Sequence, residues 1–180
     1  MTAPDLGPVP DPVPEPDERP VLHGLSEIYR FFRENTTPIY FVSPTAYNIL
    51  GLDDWVSALR YVCYFDSFDG AHDHVFVPTH AGPREFETFE SVNTYLLGHK
   101  DVIDSIQTRG PGYVLFVMFD EETERLADQL GLTIALPPRE LRERIDSKIE
   151  TTRLGNEAGV PSAPNIMTRC DSYEDLVEKA

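Results

Sequence analysis

Residues 112–119, GYVLFVMF, form an almost continuously apolar run that is followed by the acidic run DEETERLADQLG and then by LTIALPP. Such an apolar run is typical of a central parallel strand that is covered on both faces. Acidic residues in the first turn of the next run and Gly131 at its end predict a helix, and Pro137 and Pro138 stop the strand after it. Strand, helix and strand joined by short connections predict a βαβ crossover and therefore a parallel sheet.

The same alternation of helix and strand signals extends over residues 25–138. An apolar helical face opens this region, PIYFVS predicts the first strand, and further short strands are predicted at 61–65 and 75–77. Residues 87–107 have helical spacing, which Gly98 divides into two helices. We therefore predict an α/β fold with a Rossmann-like parallel sheet flanked by helices. No GxGxxG segment follows a strand, which argues against an NAD-binding protein.

The first twenty residues contain seven of the sixteen prolines, interleaved with acidic residues. Proline removes backbone donors and the segment has little apolar surface to bury, which predicts a disordered or polyproline-like arm. The predicted organisation is thus an arm over residues 1–22, a Rossmann-like domain over 23–138, and a linker with the first helices of an incomplete second domain over 139–180.

The chain has 31 acidic and 15 basic residues, which give a formal net charge of -16. A surface of this sign repels nucleic-acid phosphates and anionic lipid, so we expect neither nucleic acid nor a membrane as a partner. Cys63 lies in the apolar run RYVCYF and is predicted to be a buried free thiol, and neither it nor Cys170 has metal-ligand spacing. Two unpaired cysteines and the lack of an apolar signal segment favour a cytoplasmic protein.

The run IDSKIETTRLGNEAGVPSAPN near the end of the chain predicts a helix with defined ends. Ser147 and Glu150 have the S-x-x-E spacing of a capping box, so Ser147 is the expected N-cap, with Asp146 the alternative. Gly159 suits the position after the helix, and Pro161 forbids continuation. Lys148 therefore falls in the first turn, where the helix dipole disfavours a positive charge. Free backbone N–H groups beside an ammonium group form an anion site, which predicts phosphate binding. The alternative is an exposed, solvated lysine.

These residues, with the preceding GLTIALPPRELRERI, resemble the junction in ATP-grasp enzymes between the N-terminal Rossmann-like (pre-ATP-grasp) domain and the ATP-binding core. In that superfamily a helix begins with D-K or S-K, runs to an A-G-[VI]-P turn and leads into a strand. Residues 146–148, DSK, and 158–161, AGVP, match this pattern, and SYEDLVEKA at 172–180 matches the helix that follows. The similarity is greatest to biotin-carboxylase-like enzymes and other carboxylate–amine ligases.

The resemblance implies that Lys148 contacts the phosphates of ATP, whereas Arg153 is expected to be solvated or ion-paired. The complete enzyme would use ATP and Mg2+ to activate a small carboxylic acid as an acyl-phosphate for attack by an amine or similar nucleophile. The family's second lysine, glycine-rich lid and magnesium ligands have no counterpart before Ala180. The 180 residues alone are therefore expected to be inactive, with no catalytic residue and no bound cofactor.

A second candidate site is the loop SPTAYN, which follows the first predicted strand. Ligands of open α/β sheets bind beyond the carboxyl ends of the strands. A substrate could receive polar contacts there from Ser43, Thr45, Tyr47 and Asn48, and the corresponding domain of ATP-grasp relatives helps to hold a substrate. The alternative is a turn whose hydroxyl groups cap the next helix.

The segment DSFDGAHDHVFVPTH, residues 66–80, collects three aspartates and three histidines. In a strand, the pair His72 and His74 would project to one side, as metal ligands can. Solvated side chains at a loop and strand edge are the favoured interpretation, so no metal site is predicted.

A function of another class fits the same residues. A non-catalytic Rossmann-like module could serve dimerisation, partner binding or small-molecule binding, because its apolar helices offer surface for an interface. A homodimer is compatible with this alternative and with the ligase interpretation.

Overall fold

The computed structural model of the chain describes residues 20–80, 82, 84–160 and 163–179, except for the side chain of Asn48. The predicted proline-rich arm at 1–22 therefore lies almost entirely outside the described residues. Contacts within the chain divide it into two compact units, with the division between Leu136 and Pro137. Within the described ranges, no helix has the length and apolar character needed to cross a membrane.

The first unit is built on a sheet of five strands in the order β3-β2-β1-β4-β5. Every neighbouring pair in this order is parallel. The strands are β1 at Ile39–Ser43, β2 at Leu59–Cys63, β3 at Val75–Phe76, β4 at Tyr113–Phe116 and β5 at Thr133–Ile134. This arrangement confirms the α/β, Rossmann-like fold that was predicted from the sequence.

Helices cover both faces of this sheet, as an all-parallel sheet requires. In the described part of the unit they are α1 at Leu25–Glu34, α2 at Phe89–Leu97, α3 at Lys100–Arg109 and α4 at Glu121–Gln129, with 3-10 turns at Tyr47–Ile49 and Leu52–Asp54. The predicted break at Gly98 is confirmed. It separates α2 from α3, whose first turn is capped by the His99 ring accepting a hydrogen bond from the Asp101 N–H.

The strand residues alternate between two cores. Tyr40 and Val42 of β1 are fully buried on the face covered by α2, α3 and α4. Phe41 points the other way, against the α1 residue Phe32 and the segment that contains the 3-10 turns. The alternation explains why β1 reads as an unbroken apolar run although each side chain meets only one core.

The predicted strand limits differ from the observed ones because some chain segments leave the sheet early. The strand predicted at 61–65 is wrong by two residues, since the N–H of Phe65 donates to the Pro44 carbonyl of the neighbouring loop, at 3.0 Å. The strand predicted at 112–119 ends at Phe116, and Val117 beyond it is 37% exposed.

The second unit contains, among its described residues, α5 at Arg139–Asp146, α6 at Lys148–Glu157 and α7 at Tyr173–Lys179. Ser147 alone separates α5 from α6. The Thr151 hydroxyl is in hydrogen-bond contact with the carbonyl oxygens of Ile145 and Ser147, so one side chain from α6 contacts the end of α5. Ile145 and Asp146 belong to the last turn of α5, which excludes Asp146 as the N-cap of α6.

Candidate functional site

The strand order places a topological switch point at the centre of the sheet, between β1 and β4. After β1 the chain crosses one face of the sheet to reach β2, and after β4 the helix α4 crosses the opposite face to reach β5. Because β1 and β4 are neighbours, their two connections diverge at the carboxyl edge of the sheet. Such a divergence is the usual position of a ligand in this fold class.

Two hydroxyl groups from the predicted loop lie at this edge of the sheet. Ser43 ends β1 and is 2% exposed, and Thr45 is half-buried two residues later. Neither hydroxyl forms a hydrogen bond within the described chain. The following 3-10 turn begins after Ala46 with no side-chain cap, so the alternative that these hydroxyls cap it is wrong. Among the described side chains nothing occupies either hydroxyl, so both remain available to a ligand.

The other two predicted loop residues are placed differently. Tyr47 is 62% exposed, and its ring meets that of Phe68 edge to face at 6.4 Å between centroids. The backbone of Asn48 lies in the 3-10 turn, but its side chain is outside the described part of the structure. The loop therefore presents one exposed aromatic ring beside the two hydroxyl groups.

Asn93 of α2 adds a buried polar group that the sequence did not single out. Its Nδ2 donates to the carbonyl of Met118, two residues beyond the end of β4, at 2.6 Å. The residue is 1% exposed, and its Oδ1 has no hydrogen-bond partner among the described residues. A buried acceptor without a donor costs free energy, so the amide is a natural place for a water molecule or a ligand donor.

An aromatic cluster around His80 lies beyond the carboxyl ends of β2 and β3. The His80 Nε2 is 2.8 Å from the Tyr64 carbonyl, and its Nδ1 is 3.1 Å from the Tyr95 hydroxyl. A carbonyl can only accept, so Nε2 carries the proton and Nδ1 accepts from Tyr95. The Arg84 guanidinium carbon lies 5.0 Å from the centroid of the Tyr95 ring, in cation–π contact. The side chains of segment 66–80 were expected to be solvated, whereas His80 is half-buried in this cluster.

The histidines of the segment 66–80 have separate partners. His72 and His74 precede β3 rather than lying in it, which excludes the alternative that both project from one side of a strand. His72 Nε2 is 3.7 Å from an Asp53 carboxylate oxygen, whereas His74 Nδ1 is 3.0 Å from the Arg60 Nη1. No three His, Cys, Asp or Glu side chains among the described residues are grouped so that they could hold a metal ion.

Asp53 is held in its charged form by the same neighbourhood. Burial alone would raise its pKa, but the hydrogen bond from the Tyr61 hydroxyl at 2.7 Å, a backbone N–H and the nearby imidazoles hold the pKa of Asp53 below its usual range. Burial and the Asp53 carboxylate together raise the pKa of Tyr61. The hydrogen bond between Tyr61 and Asp53 joins β2 to the 3-10 turn at Leu52–Asp54 and has a structural role.

Lys148 occupies the first position of α6 in the second unit, as the sequence predicts. The Ser147 Oγ accepts from the Glu150 N–H at 3.4 Å, so Ser147 is the N-cap. The reciprocal half of a capping box is absent, because the Glu150 carboxylate pairs with Arg153 at 2.8 Å. Arg153 also pairs with Glu157, which confirms its expected ion pairing.

The end of α6 also follows the prediction. Gly159 has a positive φ of 68°, the Val160 N–H donates to the Gly155 carbonyl, and the Gly159 N–H donates to Asn156. These two bonds form a Schellman motif, which requires a residue that tolerates a left-handed backbone. Pro161 lies outside the described residues.

The ammonium group of Lys148 differs from those of the other two lysines of the chain. Lys100 pairs with Asp104 and Lys179 pairs with Asp175, each four residues away. Lys148 is exposed and has no acidic partner within the described ranges. In a chain with a net charge of -16 this ammonium group remains available to an external anion.

The fold and these groups define a Rossmann-like α/β protein with polar groups at the carboxyl edge of a parallel sheet and a lysine-bearing helix start in a separate unit. Comparison of the chain with protein-family models, with curated proteins and with solved structures returns no match in any of the three.

Proposed function

We propose that this chain is the N-terminal portion of an ATP-dependent ligase of the ATP-grasp superfamily, which activates a carboxylate as an acyl-phosphate for attack by an amine or similar nucleophile. The observation that supports it most directly is the start of α6. An unpaired ammonium group at Lys148 stands at the first helical position behind a Ser147 cap, in the helix that carries the sequence resemblance. Helix N-termini of this kind favour phosphate groups.

In this proposal the two units have different tasks. Lys148 contacts the phosphates of ATP, and the carboxyl edge of the sheet, with Ser43 and Thr45, helps to hold the small carboxylic acid. Mg2+ would neutralise charge on the phosphates, but no three His, Cys, Asp or Glu side chains among the described residues are grouped to hold it. We therefore expect the 180 residues alone not to catalyse the reaction. The two free thiols, Cys63 and Cys170, fit a location in the cytoplasm.

The direct test is a titration of the 15N-labelled chain with ATP and Mg2+. We expect weak binding, with amide shifts concentrated at the first turn of α6, and loss of most of that response in Lys148→Gln. Lys100→Gln removes the same charge from a lysine that is already paired, and it should leave the response unchanged.

Two results would overturn the proposal. One is an absence of shifts at the start of α6 at saturating ATP, and the other is an equal response in the two lysine variants. A clear ATPase rate from the 180 residues would contradict the part of the proposal that places catalysis elsewhere.

A second candidate function, dimerisation as a non-catalytic module, is favoured by the surface of α1. This helix buries none of its residues completely. Its Tyr29 ring packs against Trp55 at 5.1 Å between centroids, yet the two side chains are 40% and 46% exposed, and Leu25 is 73% exposed. Sedimentation of wild type and Trp55→Glu would test it: a dimer that dissociates in the variant supports this candidate, and a monomer in both excludes it.

A further inference from the structure

A cavity lies toward the amino ends of the strands, away from the carboxyl edge discussed above. Its volume is about 120 Å³. It is lined by side chains from the first three strands and from α3, among them Arg60, His74, Tyr40, Ser105 and Arg109. The cavity thus brings two guanidinium groups, two hydroxyl groups and an imidazole to one small space in a strongly acidic protein.

Arg60 is anchored through one nitrogen only. Its Nη1 lies within hydrogen-bond distance of the carbonyls of Ser57 and Leu59 and of the His74 ring. Its Nε is buried without a partner, and its Nη2 forms no hydrogen bond among the described residues. The Nε and Nη2 atoms form the edge of a guanidinium group that binds a carboxylate or phosphate with two parallel hydrogen bonds.

Neither arginine is ion-paired with a carboxylate among the described residues. No ion pair within the described chain involves Arg60 or Arg109. Asp73 lines the same cavity but pairs with neither, and the carboxylate of Asp53, which acts on Arg60 electrostatically, is bound to Tyr61. Burial, together with the nearby guanidinium of Arg109, lowers the pKa of Arg60, and the Asp53 carboxylate offsets this effect only in part.

The two hydroxyl groups around the cavity, those of Tyr40 and Ser105, differ in whether they can donate a hydrogen bond to a guest. The Tyr40 hydroxyl donates to the Gly110 carbonyl at 2.7 Å, which leaves its oxygen able only to accept. Ser105 forms no side-chain hydrogen bond among the described residues, so its hydroxyl can donate. The donors available to a guest are therefore the free edge of Arg60, Arg109 and Ser105, a set that suits an anion with several oxygens.

The volume limits the size of that anion. Pockets for nucleotides and drug-sized ligands begin at about 300 Å³. A cavity of about 120 Å³ is smaller than that, yet it has room for several water molecules and hence for a group of a few heavy atoms. We propose that this cavity binds a small oxyanion, a phosphate or a carboxylate, between Arg60 and Arg109. This site is independent of the ATP site proposed at Lys148.

Titration of the full chain with inorganic phosphate, followed by amide shifts in 15N-labelled protein, tests the proposal. Acetate is titrated in parallel, and potassium chloride at matched ionic strength controls for screening. We expect saturable shifts at Arg60, His74 and Ser105. In Arg109→Gln the dissociation constant should rise about tenfold, since a charge-assisted hydrogen bond is lost. Arg60→Lys keeps the charge but loses the two-atom edge, and should weaken binding by a similar factor.

Arg30→Gln is the matched control, because Arg30 is an exposed arginine of α1 that does not line the cavity. If phosphate produces no saturable shifts, or if Arg30→Gln weakens binding as much as Arg109→Gln, the proposal is wrong. Saturation by acetate with the same dependence on the two arginines would identify a carboxylate as the guest. If Arg60→Lys does not fold, the exposed Arg109 still provides the decisive variant.

Discussion

Gly112 approaches Pro38 so closely that no side chain could fit between them. A Cβ atom on Gly112 would lie 2.1 Å from the Pro38 carbonyl oxygen and 2.9 Å from its carbon. The same carbonyl accepts the N–H of Tyr113 at 2.9 Å, and the Gly112 carbonyl accepts the N–H of Thr133 at 2.8 Å. This contact therefore sets the register of β4 against β1 on one side and against β5 on the other.

Gly112→Ala should accordingly be among the most damaging single substitutions in the first unit. The clash is with backbone atoms, which cannot rotate away, and we expect a loss of about 3 kcal/mol or more in the free energy of unfolding. Urea denaturation followed by the fluorescence of Trp55, the one tryptophan, measures it.

Gly155→Ala is the control for that substitution. Gly155 lies inside α6 with nothing near its added methyl group, so the change should be neutral or should stabilise α6 by about 0.5–1 kcal/mol. An unfolding midpoint of Gly112→Ala within error of wild type would refute the steric argument.

The Asn93 amide should not tolerate an acid in its place. In Asn93→Asp, a carboxylate oxygen replaces the Nδ2 group that donates to the Met118 carbonyl, so two acceptors would face each other. We expect the free energy of unfolding to fall by about 3 kcal/mol at neutral pH. Burial would raise the pKa of the new carboxyl above its value in the unfolded chain, so the loss relative to wild type should shrink as the pH falls toward 4.

Asn156→Asp adds the same charge at an exposed amide of α6 and should cost little. Unfolding of both variants and wild type across pH 4 to 7 provides the comparison, in the pH range where carboxyl groups titrate. A loss in Asn93→Asp that does not depend on pH would show that packing, rather than charge, is responsible.

Alkaline pH should destabilise the core of the first unit. Burial raises the pKa of Cys63 from 9.0 to about 12, and burial, partly offset by Arg109 and Arg60, raises the pKa of Tyr40 from 10.0 to about 12. Both groups must stay neutral in the folded chain but can ionise in the unfolded one. The two groups therefore make their full contribution to the free energy of unfolding below pH 9. That contribution, on the order of a few kcal/mol, is lost as the pH rises toward 12.

The slope of the unfolding free energy against pH tests this point. Cys63→Ala removes one of the two groups, so the free energy of unfolding should decline less steeply between pH 9 and 12. This difference in slope does not depend on how much the substitution destabilises the protein at neutral pH. Equal slopes in the variant and in wild type would mean that the thiol of Cys63 does not contribute.

The two cysteines should react with a thiol reagent at very different rates. Cys170 is exposed, whereas Cys63 is fully buried in β2, which confirms the free buried thiol expected from the sequence. We expect one fast equivalent in native protein and a second only on unfolding. Cys170→Ser should abolish the fast phase, and a fast phase that survives this substitution would contradict the burial of Cys63.

Much of the fold follows from local patterns in the sequence. The break at Gly98, the capped start of α6 at Ser147 and its end at Gly159 are each set by residues within one helical turn, and all three were predicted. The strand ends were predicted less well, because a strand ends where its neighbour in the sheet stops pairing. Phe65 leaves β2 to donate to Pro44, a contact that the apolar run around it does not reveal.

The polar groups were harder to predict than the fold. Ser43 and Thr45 were expected at the carboxyl edge of the sheet because they directly follow a predicted strand. Asn93 was missed because its partner, Met118, is 25 residues away, and helical spacing alone gives no reason for a buried amide at that position. Arg60 and Arg109 line one cavity although they are 49 residues apart, and no local pattern in the sequence indicates that they come together.

The two outermost strands of the sheet, β3 and β5, are two residues long each. A strand of that length exposes few unpaired N–H and C=O groups to a neighbouring molecule. Another chain can therefore form few backbone hydrogen bonds with either edge of this sheet. Such edge-to-edge pairing is a common route to aggregation. The protein should accordingly resist the growth of β-sheet assemblies even at high concentration, despite the apolar strands at its centre.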